Sequence, residues 1–482
     1  MKAIYNNSTI PEREAKIRYH FPENIMMENA AAALEKLVLD LTEQMGLDSD
    51  SKVLIVCGSG NNGGDGYALA RRLYGRVKVS VIAIAEPRTF ESIQQCKMAK
   101  AVGVDVTSTS DSSLIRLSDM IVSGANIIVD CIYGTGFHGQ MPEASEKLIK
   151  LLNASSALRI ACDISSGIDE DGNCSPVTFK ADYTVTMGAL KSALFTDAAK
   201  DYTGTVSVAD LGIAGSIFDK CGTADAYLIE ASDVKLPLRK KRSTHKGSYG
   251  HTVVIAGEKS GAAIMGATAA MEFGSGLTTL YKAHNSNLEQ FKISPELMIA
   301  QKIPAKTTCV VIGSGLGNLP MTLRNEFTAW FASAKNPSCV LDADMFGYEN
   351  LGSLLTQLNG IEGARIVLTP HKKELERLLE NLSVETPEEL VAQFKNVVIA
   401  AKSANTKIYA GNKVYVMVEG VQSLSKGGSG DVLAGMIGAL LSQGYSALDA
   451  VITGTMCHAL AAKKLGQEDF SLTPLKLIEG LK

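Results

Sequence analysis

Several signatures that would identify a protein class are scarce or missing in this sequence. Its nine cysteines are scattered without a CxxC pair, and its seven histidines form no HExxH motif. A disulfide framework and a zinc centre are therefore disfavoured, and we expect the cysteines as small buried residues in a reducing compartment. No run of about eighteen apolar residues occurs, and residues 1–14 contain no apolar signal core, which predicts a cytoplasmic protein without a membrane partner.

A strong charge of either sign is also missing. The net charge of -4 and a pI near 6.1 give no overall attraction to nucleic acid. The basic run from Arg239 to Arg242 favours a solvated surface over an anion-steering role. What is abundant is glycine, with 44 residues in a chain of 482 that is 46% hydrophobic. This composition is typical of an α/β enzyme with two or three domains.

The most informative stretch is a glycine-rich turn that ends in a carboxylate. Residues 427–430 read Gly-Gly-Ser-Gly, Asp431 follows, and an apolar helical pattern covers 432–441. The first amides of a helix have no internal partners and carry the positive end of its dipole, so we expect an anion to bind here. Beside a phosphate, Asp431 is best explained as a base for an attacking hydroxyl. The alternative is that Asp431 only caps the helix.

In the first half, three predicted strands end in oxygen-rich loops. The strand at 53–57 leads into a glycine loop at 58–66 before a helix at 67–74, and two later strands end in Asp130 and Asp163. Carboxyl ends of parallel strands share one edge of a sheet, where ligands bind. The sequence therefore predicts a binding site at this edge.

The glycine loop also matches the dinucleotide fingerprint at Gly58, Gly60 and Gly63. Two amides and a carboxylate between Asn61 and Asp65 suit a cation or a hydroxylated ligand better than a pyrophosphate. A tight turn with Asp65 as its cap is the structural alternative.

These loops, followed by residues 185–191, make the region from about 10 to 215 resemble the NAD(P)HX epimerase family, also called the YjeF N-terminal family. The run Asn61-Asn62-Gly63-Gly64-Asp65-Gly66 is the most specific part of the likeness. The resemblance implies a Rossmann-like α/β/α domain that interconverts the R and S forms of hydrated NADH and NADPH. It also implies that a potassium ion is held by Asn62, Asp130 and Ser166.

The same resemblance implies a substrate site lined by Asn61, Asn62, Gly63, Gly64, Asp65, Gly134, Thr135, Gly136, Phe137, His138, Gly139, Gln140 and Asp163. Inverting the carbon that bears the hydroxyl requires a bond to break and re-form there, with proton transfer. We expect Asp163 and Lys191 to carry out that transfer.

The second half alternates strand and helix patterns, which predicts a mostly parallel sheet. Strands are predicted at 252–257, 309–313, 339–344, 365–371, 397–402 and 414–418, with a small-residue helix at 261–270. His371 follows one of these strands, and a ligand contact and an ordinary polar loop residue are both open interpretations.

This half, from about 225 to 482, resembles the ADP-dependent NAD(P)HX dehydratase family, which has the ribokinase-like fold. The likeness rests on the segments 246–250, 261–263, 313–317, 369–371 and 426–431. It implies that the hydrated nicotinamide substrate is contacted by Ala262, Gly317, His371 and Asp431. It implies adenine-nucleotide contacts at Lys402, Ser403, Ala404, Asn405, Thr406 and Gly430, and we expect the turn of Gly427, Gly428, Ser429 and Gly430 to stabilise the transferring phosphoryl group.

The sequence therefore predicts an α/β protein with a Rossmann-like epimerase domain at 1–222 and a ribokinase-like dehydratase domain at 223–482. We expect it to epimerise R and S NAD(P)HX and to dehydrate S-NAD(P)HX with ADP, using Mg²⁺ and K⁺. The expected substrates are NADHX and NADPHX, and the expected state is a homo-oligomer. The alternative is a ribokinase-like kinase for a vitamin precursor, fused to a Rossmann-like ligand-binding module.

Overall fold

A computed structural model describes residues 1–6, 11–47, 50–108, 124–466 and 470–481. The chain divides into two compact units, one formed by 3–226 and the other by 227–482 with Met1 and Lys2. The sequence placed this division between 222 and 223. Each unit is built on a mostly parallel sheet covered by helices, which confirms the predicted α/β class. Within the described ranges, no helix is long and apolar enough to cross a membrane.

The unit formed by residues 3–226 contains a seven-stranded parallel sheet in the order β4-β3-β2-β5-β6-β7-β9. The strands are β1 (Lys2–Tyr5), β2 (Lys52–Cys57), β3 (Lys78–Ala83), β4 (Asp105–Ser108), β5 (Ile127–Cys131), β6 (Leu158–Cys162), β7 (Tyr183–Met187), β8 (Leu190–Lys191) and β9 (Thr205–Ala209). The helices are α1 (Pro11–Tyr19), α2 (Glu23–Gln44), α3 (Asn61–Leu73), α4 (Phe90–Val102), α5 (Glu143–Ala154), α6 (Lys200–Thr203) and α7 (Gly215–Cys221).

Strand β2 shows why this sheet is covered on both faces. Its run is apolar without alternation, as is typical of a central parallel strand. Val53 and Ile55 pack with α2, α3 and α4 on one side, whereas Leu54 and Val56 pack with α5 on the other. The carboxyl ends of β2, β5 and β6 therefore lie in the middle of the sheet, as the sequence predicted.

The predicted glycine loop at 58–66 is largely helical, which corrects the sequence-based expectation. Helix α3 begins at Asn61, with Gly60 as its N-cap, so Asp65 lies inside the helix and caps nothing. A Cβ atom on Gly63 would lie 2.1 Å from the carbonyl oxygen of Gly58, and one on Gly66 would lie 2.6 Å from Cys57 Sγ. These glycines allow the helix start to approach the strands closely.

Three cysteine thiols lie side by side on neighbouring strands near the start of α3. Cys57 pairs in register with Cys131, and Asp130 pairs with Ala161, which places Cys162 beside Cys131. All three cysteines are fully buried, and burial raises the pKa of each thiol. The expectation that the cysteines serve as small buried residues is confirmed here.

The second unit contains a sheet in the order β13-β12-β11-β14-β15-β16-β17-β18-β19-β10. The strands are β10 (Ala226–Leu228), β11 (His251–Ala256), β12 (Leu277–Lys282), β13 (Met298–Ala300), β14 (Cys309–Ile312), β15 (Ser338–Leu341), β16 (Arg365–Leu368), β17 (Val397–Ala401), β18 (Thr406–Ala410) and β19 (Lys413–Met417). The helices are α8 (Ser260–Glu272), α9 (Met321–Ser333), α10 (Leu351–Asn359), α11 (Lys372–Leu382), α12 (Pro387–Gln393), α13 (Ser429–Ser442), α14 (Ala447–Gly466) and α15 (Pro474–Glu479).

The seven strands from β13 to β17 are parallel, whereas β18 runs antiparallel to both of its neighbours. The sequence analysis identified six of these ten strands but missed β10, β12, β13 and β18. Helices α8, α13, α14 and α15 cover one face, and α9 to α12 cover the other.

Two of these helices touch backbone to backbone. A Cβ atom on Gly435 of α13 would lie 2.0 Å from the carbonyl oxygen of Gly266 on α8, and one on Gly266 would lie 3.1 Å from the carbonyl oxygen of Asp431. Only glycine permits this approach. The first turn of α13, which carries Asp431, is therefore held directly against α8.

Candidate active sites

In the first unit, a buried ion pair lies at the carboxyl edge of the sheet. Lys191 is 2% exposed, and its ammonium donates to Asp163 Oδ1 at 2.5 Å, to Thr186 Oγ1 at 2.9 Å and to the carbonyl of Met187 at 3.0 Å. Asp163 follows β6 in a left-handed conformation with φ of 68°. The pair is charge-balanced and fully hydrogen-bonded, as a buried ammonium requires.

The three residues of the expected potassium site also lie at this edge. Asp130 is the penultimate residue of β5, and its Oδ1 accepts from the Ser166 hydroxyl at 2.7 Å and its Oδ2 from the Ser166 amide at 2.8 Å. Burial raises the pKa of Asp130 to about 6, although the bonds from Ser166 lower it. Asn62 donates to the carbonyl of Tyr133 at 3.0 Å, which leaves its own buried Oδ1 without a hydrogen-bond partner.

The loop 134–140 contributes unevenly to this site. A Cβ atom on Gly134 would lie 3.4 Å from Asn62 Cβ and 3.6 Å from Asp163 Oδ2, so Gly134 lies between these two side chains. Phe137 instead stacks on Tyr133, with ring centroids 5.1 Å apart, and belongs to the hydrophobic core. The loop is half-exposed at Thr135 and exposed at Gly136, His138, Gly139 and Gln140.

Asp65 lies inside α3, near the start of the helix, and is 8% exposed. Its Oδ2 accepts a long hydrogen bond from the Cys162 thiol at 3.9 Å. Burial, followed by the charge of Asp163, raises the pKa of Asp65 well above its usual value. These surroundings favour the protonated form of Asp65.

In the second unit, Asp431 occupies the first turn of α13. The N-cap is Gly428, whose φ of 95° requires glycine, so the interpretation of Asp431 as the cap is wrong. Burial and then the Asp342 carboxylate raise the pKa of Asp431 to about 6, against a hydrogen bond from Ser314 and the charge of Lys402. A carboxylate with this pKa is mostly ionised at neutral pH and can accept a proton efficiently.

Asp342, which follows β15, connects the strand ends around Asp431. It is 2% exposed, and its Oδ1 accepts from Thr369 Oγ1 at 2.7 Å and from the Lys402 ammonium at 2.9 Å. Its Oδ2 accepts from Ser314 Oγ at 3.0 Å. The Lys402 ammonium is also 3.3 Å from the position of a Cβ on Gly430, which places a fixed cation at the start of α13.

The remaining substrate contacts expected in this unit occupy loops at the same sheet edge. Gly317 has φ of 72° and donates its amide to Asp344 at 2.8 Å, beside a cavity of about 390 Å³. Ala262 lies in the first turn of α8, with its Cβ 3.2 Å from the position of a Cβ on Gly315.

His371 is the N-cap of α11. Its Nδ1 accepts from the Glu374 amide at 3.3 Å, and its side chain is 53% exposed. The structure therefore assigns it a capping role and leaves the exposed ring accessible. His371 also forms an isolated parallel β-bridge with Lys402. This bridge brings a predicted substrate contact, His371, next to a predicted nucleotide contact, Lys402.

The expected nucleotide segment 402–406 is the short connection between β17 and β18. Ser403 donates to the carbonyl of Asn405 at 2.8 Å, which closes the turn. Asn405 is buried, so its side chain is a structural part of the connection, next to Ala404. Thr406 begins β18.

Sequence reasoning missed Asp342, Ser314 and Thr369 as site residues. The signal was present, because Ser314 follows a predicted strand, Asp342 and Thr369 lie in the polar ends of two others, and polar residues at strand ends were the criterion that selected Asp130 and Asp163. It also missed His458, which is 6% exposed on α14 and has no local motif.

Family models match both units. Residues 23–193 match the YjeF-related protein N-terminus, and residues 252–482 match NAD(P)H-hydrate dehydratase. The bifunctional NAD(P)H-hydrate repair enzyme Nnr of Helicobacter pylori is 36% identical, with 100% of each chain covered. That of Coxiella burnetii is 31% identical over 97% of this chain and 96% of the relative. A solved ADP/ATP-dependent NAD(P)H-hydrate dehydratase from Bacillus subtilis is 23% identical with a TM-score of 0.41, covering 50% of this chain and 91% of that one.

The raised pKa of Asp431 predicts how its replacement changes stability with pH. Because the folded pKa is above the usual 3.8, the cost of burying the ionised form is present at pH 7 and disappears as the pH falls through 6 toward 3.8. We expect Asp431→Asn to stabilise the second unit at pH 7 by about 1–2 kcal/mol, after allowance for partial exposure. Urea unfolding of both proteins at pH 7 and pH 4 measures the effect.

The gain in stability of the Asp431→Asn protein over the wild type should be smaller at pH 4, where Asp431 is protonated. Asp449→Asn serves as the control, because Asp449 forms an ion pair with Lys235 and should show no gain. A difference between the Asp431→Asn protein and the wild type that does not change with pH contradicts the assignment.

Proposed function

The chain belongs to the family of bifunctional NAD(P)H-hydrate repair enzymes, and we propose on this premise that its two units carry the two activities in succession. The first unit interconverts the R and S epimers of NADHX and NADPHX. The second dehydrates the S epimer with ADP. A dehydratase selective for one epimer would leave the other unrepaired, so the first activity supplies the second.

The observation that carries the dehydratase assignment is the arrangement at the start of α13. Asp431 is a partly buried carboxylate with a pKa of about 6, beside free helix amides and the ammonium of Lys402. We assign Asp431 as the base that accepts the proton of the substrate hydroxyl. The oxygen takes the terminal phosphoryl group of ADP, and AMP leaves.

The carbon that bears the phosphorylated oxygen then loses phosphate as its C–O bond breaks, helped by the lone pair of the ring nitrogen. Loss of a proton from the neighbouring carbon regenerates the dihydropyridine. The amides of Gly427, Gly428 and Gly430 and the ammonium of Lys402 stabilise the negative charge during transfer, whereas the Ser429 amide donates to the carbonyl of Lys426. Mg²⁺ bound to the phosphates of the nucleotide would neutralise part of their charge.

For the epimerase, Asp163 and Lys191 supply the proton transfer. They share a short hydrogen bond, so a proton can pass between them as charge changes on the substrate. Gly134 leaves open space between Asp163 and Asn62, and we place the carbon that inverts next to this space. Asp65 is close enough to Asp163 for that charge to raise its pKa further, after the larger effect of burial.

The potassium site fits the residues present. Among the residues that the structure describes, the buried Oδ1 of Asn62 lacks a hydrogen-bond partner, and the carboxylate of Asp130 has no cationic partner among its hydrogen bonds. A hard monovalent cation takes oxygen ligands of this kind. Bound K⁺ would fix the Asn62 amide and the Ser166 loop, and would supply positive charge at the sheet edge.

The homo-oligomer and the cytoplasmic location expected from the sequence stay predictions. Light scattering coupled to size-exclusion chromatography measures the first, and cell fractionation measures the second.

Replacing Asp431 separates the two activities. We expect Asp431→Asn to lower the rate of dehydration by about 10²–10⁴-fold because the general base is lost, while epimerisation is unchanged. The assay follows the return of NADH absorbance from mixed NADHX epimers with ADP and Mg²⁺, and chromatography follows the epimer ratio. Normal dehydration by the variant would exclude Asp431 as the base, and a stable phosphorylated product formed by the wild type would favour a kinase.

Replacing Asp163 gives the converse result. Asp163→Asn should lower epimerisation by about 10²–10⁴-fold and leave dehydration of the S epimer intact. With mixed epimers, this variant should stop after consuming only the S fraction. The matched control is Asp182→Asn, which alters an exposed ion pair with Arg159 in the same unit and should consume both fractions. Full consumption by Asp163→Asn would exclude its proposed role.

The K⁺ proposal is tested with Asn62. We expect Asn62→Leu to raise the KCl concentration needed for half-maximal epimerisation by at least about tenfold, because one oxygen ligand is lost. Asn62→Asp, which retains a side-chain oxygen, should need less K⁺ than Asn62→Leu. Choline chloride keeps the ionic strength constant. Wild-type epimerisation that does not respond to K⁺ rules the site out.

A further inference from the structure

His458 is a buried polar side chain directly behind the start of α13. It lies on α14, is 6% exposed, and its Nε2 is 3.0 Å from the carbonyl oxygen of Ser429. A carbonyl oxygen only accepts, so Nε2 is the donor. Burial lowers the pKa of His458 to about 4, against the bond to Ser429, and the nearby Lys402 ammonium lowers it further. The ring is therefore neutral at physiological pH.

The partner of this hydrogen bond is one end of a peptide group whose other end faces the site. The Ser429 carbonyl and the Gly430 amide belong to the same planar trans peptide and point in opposite directions. Gly430 is in the first turn, where amides have no helical acceptor. Gly430 also lies next to Lys402, because a Cβ atom placed on Gly430 would be 3.3 Å from Lys402 Nζ. A bond that fixes the carbonyl thus also fixes the direction of the amide.

The sequence around this peptide makes its conformation costly to fix. Gly427 and Gly428 precede it, Gly428 has a left-handed φ of 95°, and glycine costs more conformational entropy to fix than any other residue. A first turn that begins with such residues tends to open. The Lys402 ammonium is held in a comparable way, by the buried carboxylate of Asp342.

We propose that His458 is a positioning residue of the phosphoryl-transfer site, which holds the Ser429–Gly430 peptide so that the Gly430 amide faces the transferring phosphoryl group. It acts through the backbone and does not touch the nucleotide. This inference rests on the proposed dehydratase function. It adds a residue from α14, a helix in which the sequence predicted no site residue.

The test compares the dehydration kinetics of three His458 variants with their thermal stability. His458→Leu removes the donor, His458→Asn is too short to reach Ser429, and His458→Gln keeps an N–H at similar reach. We expect His458→Leu and His458→Asn to lower kcat about 10- to 100-fold, with a change in KM for S-NADHX below about threefold, because the amide acts mainly on the transition state. His458→Gln should recover most of kcat.

His251 provides a matched control. It is also 6% exposed in the same unit, and its Nε2 is 2.7 Å from Thr279 Oγ1, but it lies at the first residue of β11, at the opposite edge of the sheet. His251→Leu should lower Tm by a similar amount and leave kcat close to that of the wild type. All assays are run well below the lowest Tm, and ADP affinity is measured by calorimetry on the same samples.

Each outcome decides one question. A wild-type protein that does not dehydrate S-NADHX overturns the proposed function. If the wild type is active but His458→Leu and His251→Leu lose kcat equally, or folded His458→Gln recovers nothing, the positioning role is overturned. If His458→Leu does not fold, the difference between His458→Asn and His458→Gln decides in the same way.

Discussion

The structure depends on how buried carboxylates are satisfied at the carboxyl ends of parallel strands. An ionised group without partners is costly in a protein interior. Asp130 accepts from the residue that follows the next strand, Ser166, and Asp342 accepts from residues after both adjacent strands, Ser314 and Thr369. Each bond therefore fixes the relative position of two strand ends. The geometry of each site is part of the hydrogen bonding that makes the buried charges tolerable.

The two units differ in how the cation is placed within this arrangement. In the first, Asp163 is directly bonded to the Lys191 ammonium and both are buried. In the second, the cation is bonded to Asp342, and burial, followed by the like charge of Asp342, raises the pKa of Asp431 to about 6. The first arrangement suits the exchange within a pair that we propose for the epimerase, and the second suits the proposed capture of a proton from a hydroxyl. Environments that separate the pKa values of carboxylates are how such roles are divided.

Much of this was predictable from sequence because it is local. Apolar runs ending in Asp130 and Asp163, and a glycine turn before Asp431, identified strand ends and a helix start correctly. The predicted start of α3 was wrong because the glycines between Asn61 and Gly66 favour a loop by propensity. In the structure these glycines lie in the helix, where close packing against Gly58 and Cys57 requires them. His458 was not predictable, since its contact with Ser429 spans 29 residues and follows from how α13 and α14 pack.

The row of thiols beneath α3 offers a native reporter. Cys57, Cys131 and Cys162 lie side by side on three central strands, fully buried and with raised thiol pKa values. A thiolate must form and reach solvent before it reacts. The rate at which an alkylating reagent modifies them therefore records how often the centre of this sheet opens, without any label being introduced. Comparing that rate with and without a bound ligand would show how much the ligand closes the fold beneath its own binding site.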